Sequence, residues 1–406
     1  MTMTISKRKI VFFIWTFCLI FQPPVMTVAP IVLMGVWSWI YMICNYRRLI
    51  LNFRFREILI LFVVFCFIDI YLCFVSLFSN GYIDQGLGTP IYVCVFGLPS
   101  AVAYSLVVDK SHYNLNEVIE CIIWAGFVQG CIAVLSLFSY NFQSIFVKKL
   151  YYIMDNSVVD YWRTMRLYGW ATGMTYSMPI MAGTIGVMAV MYSIKNKNKY
   201  FLLSPVIWMA GILNARTSMV IIIVGLFCTF ISINYFRHAE RRRTGRIILI
   251  VLGFILSVSI LMRFIGNESL DRWIKNGVSQ IYNFILGERT GYFTSIGIVS
   301  NTLELPADLI TGYGKVGTAS DVGYIRDLWL GGIIYSTLIY GSFVFLDYKL
   351  LKSLKKFDSR MGKGIFLFFI LSFVLVNIKG QIFSANEFTL FFFTMVILFS
   401  FYKKVF

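Results

Sequence analysis

Arg216 is the residue whose type and position are best suited to chemistry. It lies in WMAGILNARTSMVIII, between two apolar runs, where Asn214, Thr217 and Ser218 are its polar neighbours. A charge placed so deep in an apolar region is costly and usually faces a water-filled cavity or a partner. A guanidinium grips phosphate oxygens in pairs, so the expected ligand is a phosphate. The alternative is an arginine at a membrane interface whose head group reaches water.

Three more arginines stand near the ends of predicted helices. Arg163 and Arg166 lie in YWRTMRLYGWATGM, just before a predicted helix that contains Pro179, and they could line the same cavity as Arg216. Arg289 lies in LGERTGYFTS beside Glu288, which could simply pair with it.

A carboxylate follows in the glycine-rich stretch ITGYGKVGTASDVGYIRDLWLGGI. Asp321 stands at the start of the next predicted helix, where it is either the helix N-cap or a catalytic base. The stretch is not a P-loop, because it lacks the G-K-[ST] ending. Four glycines would let a ligand approach the backbone closely: Gly312, Gly314, Gly317 and Gly323.

Two other charged residues allow two interpretations each. Asp69 is in the middle of LILFVVFCFIDIYLCFVSLF, so it is either functional or part of a buried pair with Gln129 or a tyrosine. Lys379 in NIKGQIFSANE could just flank a helix. The two histidines, His112 and His238, fall in loops that are assigned below to the cytoplasm. With no His/Asp cluster on the opposite side, the sequence predicts neither a catalytic metal nor another cofactor.

Apolar helices must position these residues. Hydrophobic residues make up 59% of the chain and charged residues 14%, whereas a soluble domain has about a quarter charged residues. The apolar runs do not alternate as barrel strands do. The sequence therefore predicts an all-α polytopic membrane protein, a single integral membrane domain over 1–406 with about 12 transmembrane helices. We expect the helices at about 10–22, 28–45, 58–78, 91–108, 117–139, 168–194, 200–214, 217–236, 247–265, 328–347, 365–379 and 388–402.

The charges between these helices predict the orientation. Alternate loops on one side of the predicted membrane hold 24 of the 36 basic residues. Short cytoplasmic loops retain Lys and Arg, so both termini are expected in the cytoplasm. The formal net charge of +17 is therefore explained by topology and does not indicate nucleic acid binding.

Two segments on the outer side are longer than turns, 140–167 and 266–327. Loops longer than about 15 residues are usually functional or disordered. Apolar residues recur at helical spacing in both, which predicts amphipathic helices on the outer membrane surface, either a roof over an outward-facing cavity or plain anchors. These residues are Phe142, Phe146, Leu150 and Ile153 in the first segment and Leu270, Trp273, Ile274, Val278, Ile281 and Ile285 in the second. The 200–214 and 217–236 pair is expected to be a tight hairpin or a re-entrant element.

Three segments in this order resemble the O-antigen polymerases (the Wzy type) of bacterial surface polysaccharide synthesis. RLYGWATGM resembles that family's arginine–glycine segment entering a helix. GILNARTSMVI resembles its S-R-T turn, with Ala215 in the place of the serine. The third segment, from ERTGYF to DVGYIRDLWLGGIIYSTLIYG, resembles the end of its large outer loop. The predicted topology is also similar to that of the family.

The resemblance implies a glycosyltransferase of the bacterial inner membrane. Such enzymes transfer a growing glycan from undecaprenyl diphosphate to the non-reducing end of a new lipid-linked repeat unit on the periplasmic face. The resemblance implies that Arg166, Arg216 and Arg289, with Arg163, stabilise the diphosphate, and that Asp321 or else Glu288 is the base. Tyr324 and Tyr313 would stack on sugars or are interface aromatics. A chain-length regulator is a further expected partner.

Two other functions compete with this one. A lipid-linked oligosaccharide flippase also has about 12 helices and a basic interior, but it would not need the 266–327 loop and is expected to show two matching halves. The related O-antigen ligases use a histidine in the large outer loop, and this chain has none there. A purely structural membrane scaffold does not explain arginines at helix ends.

Overall fold

The computed structural model is mostly helical in the part of the chain that it describes. The described residues are 7–25, 30–80, 91–152, 154, 156–163, 168–173, 177–196, 199–215, 217–234, 245, 249, 253, 304–316, 322–357, 359–378, 380–381 and 386–403. Among them there is no β-strand, only an isolated antiparallel bridge between Phe53 and Tyr402. The predicted all-α fold class is confirmed for this part of the chain.

The helices occupy eleven of the twelve predicted positions, and the twelfth position, 247–265, lies largely outside the described residues. In chain order the helices are α1 Lys7–Phe21, α2 Pro30–Cys44, α3 Tyr46–Asn52, α4 Phe55–Asn80, α5 Tyr92–Ser111, α6 Leu115–Phe138, α7 Tyr140–Leu150, α8 Asn156–Arg163, α9 Ser177–Asn196, α10 Tyr200–Ile212, α11 Thr217–Asn234, α12 Gly323–Phe357, α13 Ser359–Asn377 and α14 Glu387–Phe401. Three shorter helices, α3, α7 and α8, lie between the predicted positions.

Five described helices are long and apolar enough to cross a membrane, namely α4, α5, α6, α9 and α12. Five more, α2, α10, α11, α13 and α14, are apolar but shorter. Length and composition thus support five membrane spans among the described residues, fewer than the predicted number of about 12. Contact with other helices and contact with lipid both favour apolar residues in the shorter helices.

Aromatic rings fill the contact between α4, α12, α13 and α14. Phe343 of α12 lies at the centre, with ring centroids 5.3 to 6.4 Å from those of Phe65, Phe373, Phe392 and Phe393. Mostly tilted and edge-on pairs of this kind stabilise a core beyond the apolar area that they bury.

Glycines allow α9 to lie very close to its neighbours. At Gly186, an added Cβ atom would be 2.0 Å from the indole nitrogen of Trp208 in α10. Gly126 of α6 and Gly225 of α11 approach side chains of α9 almost as closely. Small residues at helix crossings are typical of membrane bundles, where close van der Waals packing drives association.

The predicted helix 168–194 begins later than expected, at Ser177. Residues 168–173 are not helical. Gly169 has a φ of +129°, which a helix does not allow, and the polar groups of the segment bond other elements instead of an i−4 carbonyl. The prediction that this helix begins at residue 168 is wrong, because these hydrogen bonds hold 168–173 in a non-helical path.

Helix α7 confirms a helix in the 140–167 segment, but the predicted face is only partly right. The buried residues are Gln143, Val147 and Leu150, whereas Phe142 and Phe146 are half-buried. Helix α7 packs against α6, and Phe146 of the predicted face contacts the Trp170 ring. The amphipathic stretch predicted at 270–285 lies outside the described residues.

Helix α12 also differs from the prediction of 328–347, because it starts at Gly323 and is broken inside. Gly331 and Gly332 have non-helical backbone angles, with φ values of −147° and +65°. The break leaves backbone groups without helical partners, and the segment 308–314 bonds them, as described below.

Candidate functional site

Asn214 joins the two arginine-bearing segments that the sequence singled out. Its side chain accepts a hydrogen bond from the Tyr168 N–H at 3.0 Å and donates one to the Tyr168 carbonyl at 2.6 Å. A further bond to the Ala210 carbonyl, at 2.8 Å, fixes the amide in place. Arg166 and Arg216 themselves lie outside the described residues, but each is two positions along the chain from one of these bonded partners.

The connection between α10 and α11 is a tight turn. The N–H groups of Asn214 and Ala215 both donate to the Gly211 carbonyl, at 3.1 and 2.9 Å. The Ser218 N–H then donates to the Ala215 carbonyl at 3.2 Å, so the chain reverses within a few residues. A tight hairpin and a re-entrant element both contain such a turn, so the choice between them stays a prediction.

The non-helical segment 168–173 is held from α6 as well. Gln129 is fully buried, and its Oε1 accepts a bond from the Trp170 N–H at 3.3 Å. Its Nε2 has no hydrogen-bond partner in the part of the chain that is described. A Cβ atom on Gly169 would lie 2.7 Å from that Nε2, so the segment passes directly over the amide. Irregular backbone among apolar helices is tolerated only where protein or a cavity satisfies it.

Glu387 holds the other end of the same segment. This buried carboxylate, in the first turn of α14, accepts bonds from the Thr172 hydroxyl at 2.7 Å and the Gly173 N–H at 2.8 Å. The Ser177 hydroxyl, at the start of α9, donates to its second oxygen. A carboxylate at the N-terminus of a helix is favoured by the helix dipole, and here two helices begin beside it.

A second buried carboxylate lies in the first turns of α12. Asp327 accepts a hydrogen bond from the Tyr340 hydroxyl on one oxygen and from Gln381 Nε2, at 2.5 Å, on the other. Asn377 Nδ2 donates to the Tyr340 oxygen at 2.9 Å, which ties α13 to α12. Gln381, which bonds Asp327, lies five residues before Asn386, the N-cap of the helix that carries Glu387. At about 3.5 Å per residue, the backbones of these two residues are within roughly 18 Å of each other.

The break in α12 is filled by the residues that precede that helix. The N–H groups of Tyr313 and Gly314 donate to the carbonyls of Trp329 and Leu330, both at 2.8 Å, and the Ile333 N–H donates to the Leu309 carbonyl at 2.8 Å. An added Cβ on Gly312 would lie 2.7 Å from the Gly332 nitrogen. Gly312 and Gly314 therefore serve a close approach between protein segments, not the approach of a ligand that the sequence suggested.

Asp308 shapes the turn that enters this contact. Its side chain accepts bonds from the Thr311 hydroxyl at 2.5 Å and from the N–H groups of Thr311 and Ile310 at 3.1 and 2.9 Å. These bonds stabilise the ionised form and hold the pKa of Asp308 below its ordinary value. The turn is thus fixed by a charged side chain at the molecular surface.

Two of the predicted site residues are fully described. The Tyr324 hydroxyl donates to the Val374 carbonyl at 3.0 Å, and the ring packs edge-on against Tyr340, so this tyrosine joins α12 to α13. The ring of Tyr313 lies 5.4 Å from that of Trp329, and both are partly exposed. Arg163 ends α8, with its side chain outside the described part. Glu288, Arg289, Asp321 and Lys379 lie outside the described residues, as Arg166 and Arg216 do.

Sequence reasoning missed the buried acids that organise this end of the molecule. Asp327 and Glu387 stand in RDLWLGG and NEFTLFFF, and a single acid next to a long apolar run was the available signal. Asp69 was singled out, and of its two predicted partners Gln129 is wrong, whereas a tyrosine, Tyr335, lies close enough to feel the charge of Asp69. Its carboxyl contacts Cys94 of α5, one of its oxygens is unpaired, and Gln129 is engaged elsewhere.

Within the described ranges, no three His, Cys, Asp or Glu side chains are grouped closely enough to hold a metal ion. Comparison with protein-family models, with curated proteins and with solved structures finds no match to this chain. The functional argument therefore depends on the chemistry and geometry of the chain itself.

Proposed function

We propose that this chain is a bacterial inner-membrane glycosyltransferase that polymerises lipid-linked oligosaccharides, an O-antigen polymerase. The donor would be a glycan on undecaprenyl diphosphate and the acceptor a second lipid-linked repeat unit, both on the periplasmic face. The observation that carries the proposal is the Asn214 amide, which bonds Tyr168 on both of its polar groups. It brings together two arginine-bearing motifs that are far apart in the sequence.

The proposed reaction needs positive charge at a fixed place. The acceptor hydroxyl oxygen bonds to the anomeric carbon, the carbon–oxygen bond to the diphosphate breaks, and undecaprenyl diphosphate leaves with the electron pair. Arg166, Arg216 and Arg289, assisted by Arg163, would neutralise the diphosphate as its charge grows. Asp321, or Glu288 in its place, would accept the hydroxyl proton. Catalysis of this kind needs no metal if the guanidinium groups are held in position.

Hydrogen bonds hold described residues that neighbour two of the proposed catalytic residues, Arg166 and Asp321. Asn214, Gln129 and Glu387 fix the backbone that follows Arg166, and the docked segment 308–314 fixes the residues on the N-terminal side of Asp321. Rigid placement of catalytic groups contributes to the rate because little reorganisation remains for the transition state. Tyr313 keeps the predicted sugar-stacking role, since its ring is partly exposed beside Trp329.

The first test is genetic. The gene is deleted in its own host and complemented with wild type, Arg216→Ala, Arg289→Ala or Asp321→Asn, and the surface polysaccharide is separated on a gel. We expect single repeat units in the deletion strain, a ladder with wild type, and a ladder shortened or lost in the three variants. Arg56→Ala is the matched control, because Arg56 is exposed and lies in a predicted cytoplasmic turn.

Other outcomes would replace the proposal. Loss of all surface polysaccharide, with lipid-linked units trapped inside, would make this chain a flippase. Polymer that is made but stays on its lipid carrier would make it a ligase. A ladder that is unchanged in the deletion strain would exclude all three functions.

The flippase is retained as the second candidate because of one observation. Helix α12 is discontinuous at Gly331 and Gly332, and it carries the buried Asp327 ahead of the break. Discontinuous helices with buried polar groups are common in the substrate sites of secondary transporters. Against this candidate, the sequence shows no evident internal repeat, and the loop lengths of its two halves do not match.

A further inference from the structure

Arg326 is an arginine of α12 that has no role in the proposed reaction. It lies in the first turn of a helix long enough to span a membrane, between Tyr324 and Asp327. The side chain is partly buried, and its Nε is shielded from solvent without a hydrogen-bond partner in the described structure. An ionisable group at such a position usually faces a cavity or a partner.

The neighbouring carboxylate does not pair with it. Asp327 lies close enough to feel the charge of Arg326, but its two oxygens are bonded by Tyr340 and Gln381. The other arginines that face acids in the described residues do form ion pairs, Arg48 with Asp109 at 3.6 Å and Arg54 with Glu57 at 3.4 Å. Arg326 therefore acts on the adjacent Asp327 through its charge only, and its shielded Nε has no hydrogen-bond partner in the described structure.

We propose that Arg326 is an anion-binding residue whose ligand is a phosphate or diphosphate group. The side chain follows the predicted base Asp321 by five positions, and the N-terminal turn of α12 adds a favourable dipole for an anion. The planar guanidinium binds two phosphate oxygens at once, which an ammonium group cannot do. This inference deepens the proposed function, since the anion would be the diphosphate of a lipid-linked glycan.

The test uses the full chain, purified in a neutral detergent, and records its melting temperature while inorganic diphosphate is titrated. The variants are Arg326→Gln, which removes the charge, and Arg326→Lys, which keeps the charge but loses the fork of donors. Arg56→Gln is the matched control at an exposed position. The same proteins are melted in nanodiscs of phosphatidylcholine with and without phosphatidylglycerol, which separates a lipid head group from a free phosphate.

Two results together would support the proposal. Without ligand, Arg326→Gln melts close to the wild-type temperature, because the shielded Nε of Arg326 has no hydrogen bond to lose in the described structure. The diphosphate concentration for half of the stabilisation rises about tenfold or more in Arg326→Gln, less in Arg326→Lys, and not in Arg56→Gln. A response to phosphatidylglycerol that Arg326→Gln alone loses would support anion binding by a lipid head group.

A lower melting temperature of Arg326→Gln without ligand would overturn the proposal, since Arg326 would then be a structural residue. An unchanged response to both diphosphate and phosphatidylglycerol would do the same. The proposed function is tested separately by the gene deletion. If the deletion leaves the ladder intact while Arg326→Gln still weakens the diphosphate response, the polymerase proposal fails and the anion site stands.

Discussion

At the scale of single residues, Glu387 is the side chain whose loss we expect to affect the candidate site most through structure. The substitution Glu387→Ala removes the carboxylate that accepts three hydrogen bonds, from Thr172, Gly173 and Ser177. The Gly173 N–H loses its acceptor, and the Thr172 and Ser177 hydroxyls keep only the carbonyls of Gln22 and Gly173. We therefore expect the free energy of unfolding to fall by about 1–3 kcal/mol. The melting temperature in detergent measures the change, and the glycan ladder should shorten with it.

The control is Glu304→Ala, because Glu304 is exposed and only its backbone carbonyl is bonded, by Trp329. That variant should stay within about 0.5 kcal/mol of wild type. Equal losses in the two variants would show that the Glu387 carboxylate does not hold the 168–177 segment.

Asp308 predicts how stability depends on pH. Its pKa is lowered, first by the bond from the Thr311 hydroxyl and then by backbone N–H groups, from an ordinary value of 3.8. A lowered pKa in the folded state contributes stability that is fully present above 3.8 and is lost as the pH falls through the folded value. The melting temperature of wild type should therefore exceed that of Asp308→Asn at about pH 6, and the difference should shrink as the pH falls below 3.8. A difference that is constant with pH would refute the ionised turn.

The sequence predicted single residues unevenly. It singled out the arginines and Asp321 because a charge beside an apolar run is visible in one dimension. It did not single out Asn214 as a bond between two motifs, or Glu387 as the residue that holds RLYGWATGM, because both roles depend on which helix ends meet in space. Gly312 and Gly314 were recognised as close-approach positions, but the approaching group is another part of the chain.

At the scale of elements, the break in α12 is the feature that a single substitution tests most directly. Gly332 has a φ of +65° and a ψ of −161°, and a Cβ atom there would lie 2.2 Å from the Ile310 carbonyl oxygen. Gly332→Ala would strain the backbone and push away the 308–314 segment, so we expect a loss of about 2–4 kcal/mol in the free energy of unfolding. Melting curves in detergent give the measurement.

Gly341→Ala in the same helix is the matched control. A Cβ on Gly341 would meet no atom within 4 Å, and its backbone is helical. Alanine favours a helix over glycine by up to about 1 kcal/mol, so this variant should be neutral or stabilised. If both variants destabilise the protein alike, the break is not a required part of the fold.

Helix positions followed from the sequence much better than the irregular backbone did. Runs of apolar residues reveal where a helix lies, so the centres of α4, α5 and α6 fall where they were expected. The 168–173 segment, YGWATG, precedes the apolar run of α9, and its contacts with Asn214, Gln129 and Glu387 make a non-helical path favourable. Boundaries set by tertiary hydrogen bonds are not encoded in local periodicity.

At the scale of the whole molecule, hydrogen bonds and ion pairs between segments distant in the sequence group the described helix ends into two sets. One set, the basic end, carries basic residues of the predicted cytoplasmic loops. Lys9 pairs with Glu117 at 3.4 Å, Lys349 pairs with Glu57 at 2.5 Å, and Lys403 Nζ donates to the Leu51 carbonyl at 3.0 Å. The other end holds the Asn214, Glu387 and Asp327 clusters. The segments that the sequence assigned to the cytoplasm are thus in contact with one another.

This separation makes the orientation testable with fusions. A fluorescent protein that folds only in the cytoplasm should fluoresce when fused after Phe406 and after His112, since Lys403 and the neighbouring Asp109 belong to the basic end. Alkaline phosphatase, which is active only outside the cytoplasm, should be active when fused after Tyr140, the first residue of α7. The basic residues retain their ends of the helices in the cytoplasm, so the reverse pattern would contradict the predicted orientation. It would also place the Asn214 junction on the cytoplasmic face, where a polymerase that uses flipped repeat units could not work.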